Sequence, residues 1–269
     1  MKGAELLLPY ISLLGRRLPV YGLLAIAGVG IGIAAGVLTY RGRVKRSDLF
    51  YAACYGAIGL LVGAKHLFLI VSIPDIWSIR HDIIREPRLL PALIYNGFVF
   101  YGGLAGAISG IIIYCRKFGI PELEALDGLT PGMPLAAAIG RLGCFAAGCC
   151  YGIEYRGAHS VVFTVSEHAP NGVPLFPVQL LETGILLILF AAVFLFSRKE
   201  RKPGRVTGFF LILYCSARFF TEFLRGDEQR GIALGLSTSQ WISAAGLAAA
   251  LAFLLRLRKK KAQKRDAEV

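Results

Sequence analysis

Apolar runs of about twenty residues recur along this chain, and short clusters of Lys and Arg separate them. The runs fall at about 18–40, 49–73, 97–115, 126–149, 178–197, 207–225 and 236–256. A hydrocarbon core ~30 Å thick takes about 20 apolar residues to cross as a helix. Backbone polar groups in lipid must be satisfied inside the segment that carries them. The pattern therefore predicts an all-α integral membrane protein, one polytopic domain over 1–269 with seven transmembrane helices. Pro131 and Pro134 interrupt the fourth run, which predicts a broken or partly re-entrant span there.

Charge placement predicts orientation. Of the Lys and Arg outside the runs, 18 fall on one side: 41–46, 116–117, 198–205 and the tail from Arg256. The other side, which includes Arg16, Arg17, Arg80, Arg85, Arg88, Arg156, Arg225 and Arg230, carries 9. The basic excess marks the cytoplasmic face. The C-terminus is then cytoplasmic, the N-terminus is outside, and the loops at 74–96 and 150–177 face outward. The net charge of +13 does not point to nucleic acid, because the basic residues interleave with apolar runs instead of lining one polar face. The tail, 257–269, reads as an anchor on anionic lipid. Leu6 to Leu14 is followed by Arg16 and Arg17 and not by a small-residue cleavage site, so residues 1–17 read as an interfacial helix before the first span. The outer loop around Val161–Val165 has the composition of a short strand pair.

Glycines at four-residue spacing (28, 32 and 36; 59 and 63; 102, 106 and 110) predict close helix packing. Lys65, Arg141 and Arg218 are expensive to place inside such runs, at about 2.5–3.5 kcal/mol each. Lys65 lies near enough to a span end to snorkel. Arg141 sits in Gly140-Arg141-Leu142-Gly143, while Tyr214, Arg218, Glu222 and Arg225 share one helix face. A salt bridge from Arg218 to Glu222, with Arg141 on a carbonyl, is the bland account of these residues. Two arginines beside a Tyr and a Glu favour a binding site instead, because guanidinium grips phosphate oxygens in a bidentate fork. In a bilayer that phosphate belongs to a phospholipid head group. Tyr101, Gly102 and Gly103 open the third run and offer it room, and Gln179 and Glu182, just after Pro177, serve equally well as helix caps or as site residues.

Together these segments resemble the prolipoprotein diacylglyceryl transferases of bacteria. The resemblance runs through Tyr21-Gly22-Leu23, Gly102-Gly103-Leu104, Gly140-Arg141-Leu142-Gly143 with Phe145, Gly148 and Gly152, Pro177-x-Gln179-Leu180-x-Glu182, and Tyr214-x-x-x-Arg218-x-x-x-Glu222-x-x-Arg225. It implies a multi-pass protein of the bacterial plasma (inner) membrane, with phosphatidylglycerol and a prolipoprotein signal peptide as partners and neither cofactor nor metal. Diacylglyceryl would pass from phosphatidylglycerol to a lipobox cysteine thiol, giving a thioether and glycerol phosphate. Arg141 and Arg218 would be catalytic, with Tyr101 and Glu222 as candidate bases. Tyr21, Gly102, Gly103, Gly152, Gln179, Glu182, Tyr214 and Arg225, with Arg141, would bind substrate.

The chain also departs from the pattern. The family usually has His-Gly-Gly at Tyr101-Gly102-Gly103, and Asn-Phe-x-Asn-Gly-Glu at Cys144-Phe145-Ala146-Ala147-Gly148-Cys149. The departures leave two other readings open: a paralogue with a different thiol or hydroxyl acceptor, or a phospholipid-binding protein without turnover. Cys144, Cys149 and Cys150 admit packing with a disulfide, a thiol acting in the chemistry, or a metal site completed by His159 or His168.

Overall fold

A computed structural model describes residues 9–13, 16–78, 80, 85–86, 97–199, 202–227 and 231–266, with side chains undescribed at 13, 16, 75 and 258–266. Contacts divide the chain into two compact units, Met1–Arg41 with Asp127–Val269, and Gly42–Leu126.

The first unit opens with a hairpin where the sequence suggested an interfacial helix. Strands β1 (Tyr10–Leu13) and β2 (Arg16–Pro19) pair antiparallel, Ile11 against Leu18. Pro9 and Pro19 explain the correction: proline fixes φ, and it pushes the residue before it toward extended backbone. Residues 1–8 of the expected helix lie outside the described residues. Helix α1 (Val20–Thr39) follows Pro19 directly.

In the second unit, α2 (Arg46–Val71) leads through α3 (Ile73–Ser78) to α4 (Phe100–Phe118), which ends on left-handed Gly119 after Arg116 and Lys117. Much of the expected outer loop at 74–96 falls outside the described residues. Gly59, Gly63, Gly102, Gly106 and Gly110 bring α2 and α4 backbone to backbone; a Cβ on Gly106 would lie 3.0 Å from Gly63 Cα.

Helix α5 (Glu122–Leu129) returns the chain to the first unit. The interruption expected in the fourth run lies after it, at Thr130-Pro131, before α6 (Gly132–Ala147). The glycine ladder of α1 packs here: a Cβ on Gly32 would lie 2.8 Å from Ala136 Cβ, and one on Gly36 would lie 3.1 Å from Leu129 Cα. Asp127 accepts hydrogen bonds from Gly204 N (2.8 Å), Thr207 N (2.8 Å) and Thr207 Oγ1 (2.7 Å), so α5 caps the start of α8 with a carboxylate. After α6 the segment 151–176 folds over Phe163, Ala169 and Leu175, and β3 (Val161–Val162) pairs with β4 (Pro174–Leu175), the strand pair the sequence suggested. Helices α7 (Val178–Ser197) and α8 (Arg205–Thr221) follow, then a 3₁₀ turn at Glu222–Leu224. A small hairpin of β5 (Ile232–Ala233) and β6 (Leu236–Ser237) leads into α9 (Thr238–Asp266).

Among the described residues, five helical stretches are long and apolar enough to cross a membrane: Val20–Thr39, Arg46–Val71, Val178–Ser197, Arg205–Leu224 and Thr238–Leu257. Helix α6 is apolar but shorter, at 16 residues. Large apolar side chains such as Ile26, Ile58, Ile188 and Leu195 point outward, while Gln179, Glu182, Thr221, Glu222 and Gln240 are buried. Apolar outside and polar inside suits a hydrocarbon surround, since water disfavours so much exposed apolar surface.

Candidate active site

The site grows from four places in the first unit. Helix α6 supplies Arg141, the first turns of α7 supply Gln179 and Glu182, the end of α8 supplies Arg218, the 3₁₀ turn after it supplies Glu222, and Arg225 follows that turn directly. The two intramembrane arginines meet on one carboxylate. Arg218 Nη1 lies 2.7 Å from Glu182 Oε1, and Arg141 Nε lies 3.0 Å from Glu182 Oε2. Arg218 also reaches Glu222 Oε2 with Nη2 at 2.6 Å, and Arg225 pairs with Asp227 at 2.5 Å. Three guanidiniums thus face three carboxylates, and the network is neutral as it stands. Glu182 and Glu222 are almost fully buried, so their charge is sustainable only because of these partners.

The arginines are not equally committed. Arg218 is engaged on both sides of its fork. Arg141 is fastened through Nε alone, off the hydrogen-bonding direction of Glu182 Oε2, and its side chain stays 19% exposed. Among the described residues it makes no other ion pair or hydrogen bond, so its two Nη groups are uncommitted there.

The cysteines lie beside this guanidinium. The Sγ atoms of Cys144, Cys149 and Cys150 all lie within 4.8 Å of one another, and all six cysteines are free thiols. Cys149 N–H donates to Cys144 O, closing α6 around left-handed Gly148, and Cys150 takes φ 55°, a conformation that side chains rarely adopt. Arg141 and Arg225 both act electrostatically on Cys150, and Tyr21 feels Arg141 and all three thiols. A cavity of about 240 Å³, lined by Tyr10, Tyr21, Cys149 and His168 among others, opens beside them.

The family model described as prolipoprotein diacylglyceryl transferase matches residues 9–256 of this chain. The chain belongs to that family. A phosphatidylglycerol–prolipoprotein diacylglyceryl transferase from Clostridium tetani (strain Massachusetts / E88) is 38% identical to it, over 86% of this chain and 90% of that protein. The second enzyme of that name from Clostridium perfringens (strain 13 / Type A) is 32% identical, over 86% and 88%. The one from Nitrosomonas europaea (strain ATCC 19718 and its equivalents) is 31% identical, over 87% and 84%.

Within this diacylglyceryl transferase family member, the expected site residues divide into groups. Arg141, Arg218, Glu182 and Glu222 converge as described, and Tyr214 acts electrostatically on Arg141. The salt bridge expected between Arg218 and Glu222 is present, but Arg141 finds Glu182 and not a carbonyl. Gln179 and Glu182 do not cap α7: Gln179 Nε2 donates to Cys149 O at 3.0 Å, and Glu182 is the shared anion. Gly152 is a backbone crossing. It bridges Arg225, and a Cβ there would collide with Phe176 O. Tyr101, Gly102 and Gly103 belong to the second unit, where Gly63, Ala64 and Leu67 of α2 take up the space beside the two glycines.

Sequence reasoning missed Ser237, Gln240, Thr221, Ser239 and Asp227. Ser237 caps α9, with its Oγ accepting from Gln240 N at 3.2 Å while Gln240 Oε1 accepts from Ser237 N at 2.9 Å. The same hydroxyl donates to Glu222 Oε1 at 2.9 Å. The signal was legible as Ser237-x-x-Gln240, a capping box ahead of an apolar run. Thr221 Oγ1 donates to Glu182 Oε1 at 3.3 Å, and Arg218 Nη2 donates to Ser239 Oγ at 3.4 Å. Ser237→Ala is expected to lower stability by about 1 kcal/mol through the lost cap, and further through the lost donor to Glu222. Thermal unfolding in detergent checks this, and Ser237→Thr should keep most of the loss from appearing.

Proposed function

We propose that this protein transfers the diacylglyceryl group of phosphatidylglycerol to the cysteine thiol of a prolipoprotein signal peptide, forming a thioether and releasing glycerol phosphate. The observation that carries the reading is Arg141: a guanidinium in an apolar helix, held at Nε by Glu182, with its Nη groups uncommitted among the described residues. A phosphodiester fits those groups as a bidentate ligand. Arg218, held on the same carboxylate, would stand behind it and meet the second negative charge that appears on phosphate as the carbon–oxygen bond breaks. Glu182 is the hinge of this arrangement, because it keeps two like charges at one phosphate. Of the remaining site residues, Tyr21, Gln179, Tyr214, Arg225 and Gly152 of the first unit bind or enclose the substrates, with Glu222 as a candidate base; Tyr101, Gly102 and Gly103 of the second unit are proposed as substrate-binding residues by the resemblance alone, with Tyr101 the other candidate base.

The same reading holds the chain to be one polytopic domain of the bacterial plasma membrane. It has seven spans, the N-terminus outside, and the basic tail on cytoplasmic anionic lipid. The seven apolar runs and the 18-to-9 division of basic residues support it.

The test is direct. Purified protein with labelled phosphatidylglycerol and a lipobox peptide should yield the thioether peptide and glycerol phosphate, seen by mass spectrometry. A peptide with serine at the acceptor position should yield neither. Bound lipid without product in the presence of the cysteine peptide defeats the reading and leaves a lipid-binding protein.

A further inference from the structure

The transfer just proposed needs a thiolate, and an ordinary thiol with a pKa near 8.5 is mostly protonated at neutral pH. The carboxylates that stand nearest the arginines are committed to them: Glu182 to Arg141 and Arg218, Glu222 to Arg218, Asp227 to Arg225. Each is engaged as a charged partner, so a candidate base such as Glu222 gives up an ion pair when it takes the proton. The three thiols offer another route. Their sulfurs lie within 4.8 Å of one another. Three sulfurs at about 2.3 Å from one ion stand about 3.8–4.0 Å apart, so closing on an ion takes a shift of less than about 1 Å. Among the described residues no His, Asp or Glu joins the cluster, and His168 lines the same cavity as Cys149 without standing among the clustered ligand atoms.

We infer that Cys144, Cys149 and Cys150 form a three-thiolate site for a zinc ion, with the fourth position left for the acceptor cysteine thiol. The inference rests on the transfer reading for its last ligand, and it departs from the sequence expectation of no metal. Three sulfur ligands with an open place is the composition of a catalytic site and not of a closed structural one. Three thiolates around a divalent ion leave one negative charge, and the nearest cations to Cys150 are Arg141 and Arg225, each of which also pairs with a carboxylate. A cavity of about 240 Å³ reaches Cys149, one of the three ligands.

The chemistry balances. The acceptor sulfur binds zinc and releases its proton to water, since a thiol coordinated to zinc is deprotonated outright. A lone pair on that sulfur then attacks the glyceryl carbon. The carbon–sulfur bond forms as the carbon–oxygen bond to phosphate breaks, and the electron pair leaves on the phosphate facing Arg141. The thioether is a poorer ligand than a thiolate and departs. The proton lost at the start is recovered by the released glycerol phosphate. The zinc is unchanged throughout.

The full-length protein is expressed with added zinc, purified in detergent with a tag that binds no metal, and assayed for metal by mass spectrometry. About one zinc per chain is expected, falling at least about tenfold in the triple variant Cys144→Ser, Cys149→Ser, Cys150→Ser. Cobalt is then exchanged for zinc in the wild-type protein, which does not depend on the variant folding. The visible spectrum of the cobalt protein should change on adding a lipobox peptide with cysteine and not on adding the serine peptide. Metal-free protein whose three thiols react readily with maleimide while transfer proceeds overturns the site and leaves the transfer standing. A cobalt spectrum indifferent to the cysteine peptide overturns the open position. A spectrum that responds although no thioether ever forms supports the metal site and defeats the transfer reading.

Discussion

Replacing Arg141 with alanine is expected to lower diacylglyceryl transfer by about 10²–10³-fold, the usual cost of removing one preorganised group that stabilises developing charge. The loss should fall on turnover as well as on lipid affinity, because the second negative charge on phosphate exists only as the carbon–oxygen bond breaks. Arg141→Lys should recover the charge but not the fork, and so restore only a minor part of the rate. The fold should survive, since Arg141 makes a single ion pair and is partly exposed. Steady-state kinetics with labelled phosphatidylglycerol, alongside a melting curve, settles the matter. Transfer within threefold of wild type in Arg141→Ala would remove phosphate from this guanidinium.

The second large effect concerns folding. Glu182→Gln keeps the shape of the side chain but takes away the one anion that Arg141 and Arg218 share. Two cations then face each other in an apolar interior, with only Glu222 left to answer Arg218. Breaking a buried pair from one side typically costs about 3–5 kcal/mol. Glu182→Gln should therefore accumulate poorly or melt far below wild type. Combining it with Arg141→Ala should restore much of the stability, a non-additivity expected only if the two residues act as one unit. If Glu182→Gln melts like wild type, the shared carboxylate is not what holds the arginines together.

The residues of the ion-pair network were legible wherever they offended a physical rule. Arg141 and Arg218 stood out because charge in an apolar run is costly, and the ion pair of Arg218 with Glu222, which the i,i+4 spacing offered as the bland account beside a binding site, is present. Glu182 stood out only as a helix cap or a substrate-binding residue, not as the partner of both arginines. A Glu one turn after a proline looks like the opening of any helix, and nothing local says that it accepts two arginines from α6 and α8. Such pairings are tertiary and leave no mark in spacing. The hairpin before α1 was missed for a simpler reason: apolar content was weighed above Pro19, which holds Leu18 toward extended backbone. Of the two prolines expected to interrupt the fourth run, Pro131 lies at the break, while Pro134 sits in the first turn of α6, where proline is tolerated.

Gly152 and Arg225 carry a further consequence. Backbone hydrogen bonds lace residues 151–155 to Leu224 and Gly226 on one side and to Pro174 and Phe176 on the other. The side chain of Arg225, in the same lacing, grips Asp227. The folded loop above α6, the entrance to α7 and the exit from α8 are thus stitched at one seam. Opening a path for a lipid or a peptide through that seam would break the four backbone hydrogen bonds that join Tyr151, Ile153 and Tyr155 to Pro174, Phe176, Leu224 and Gly226.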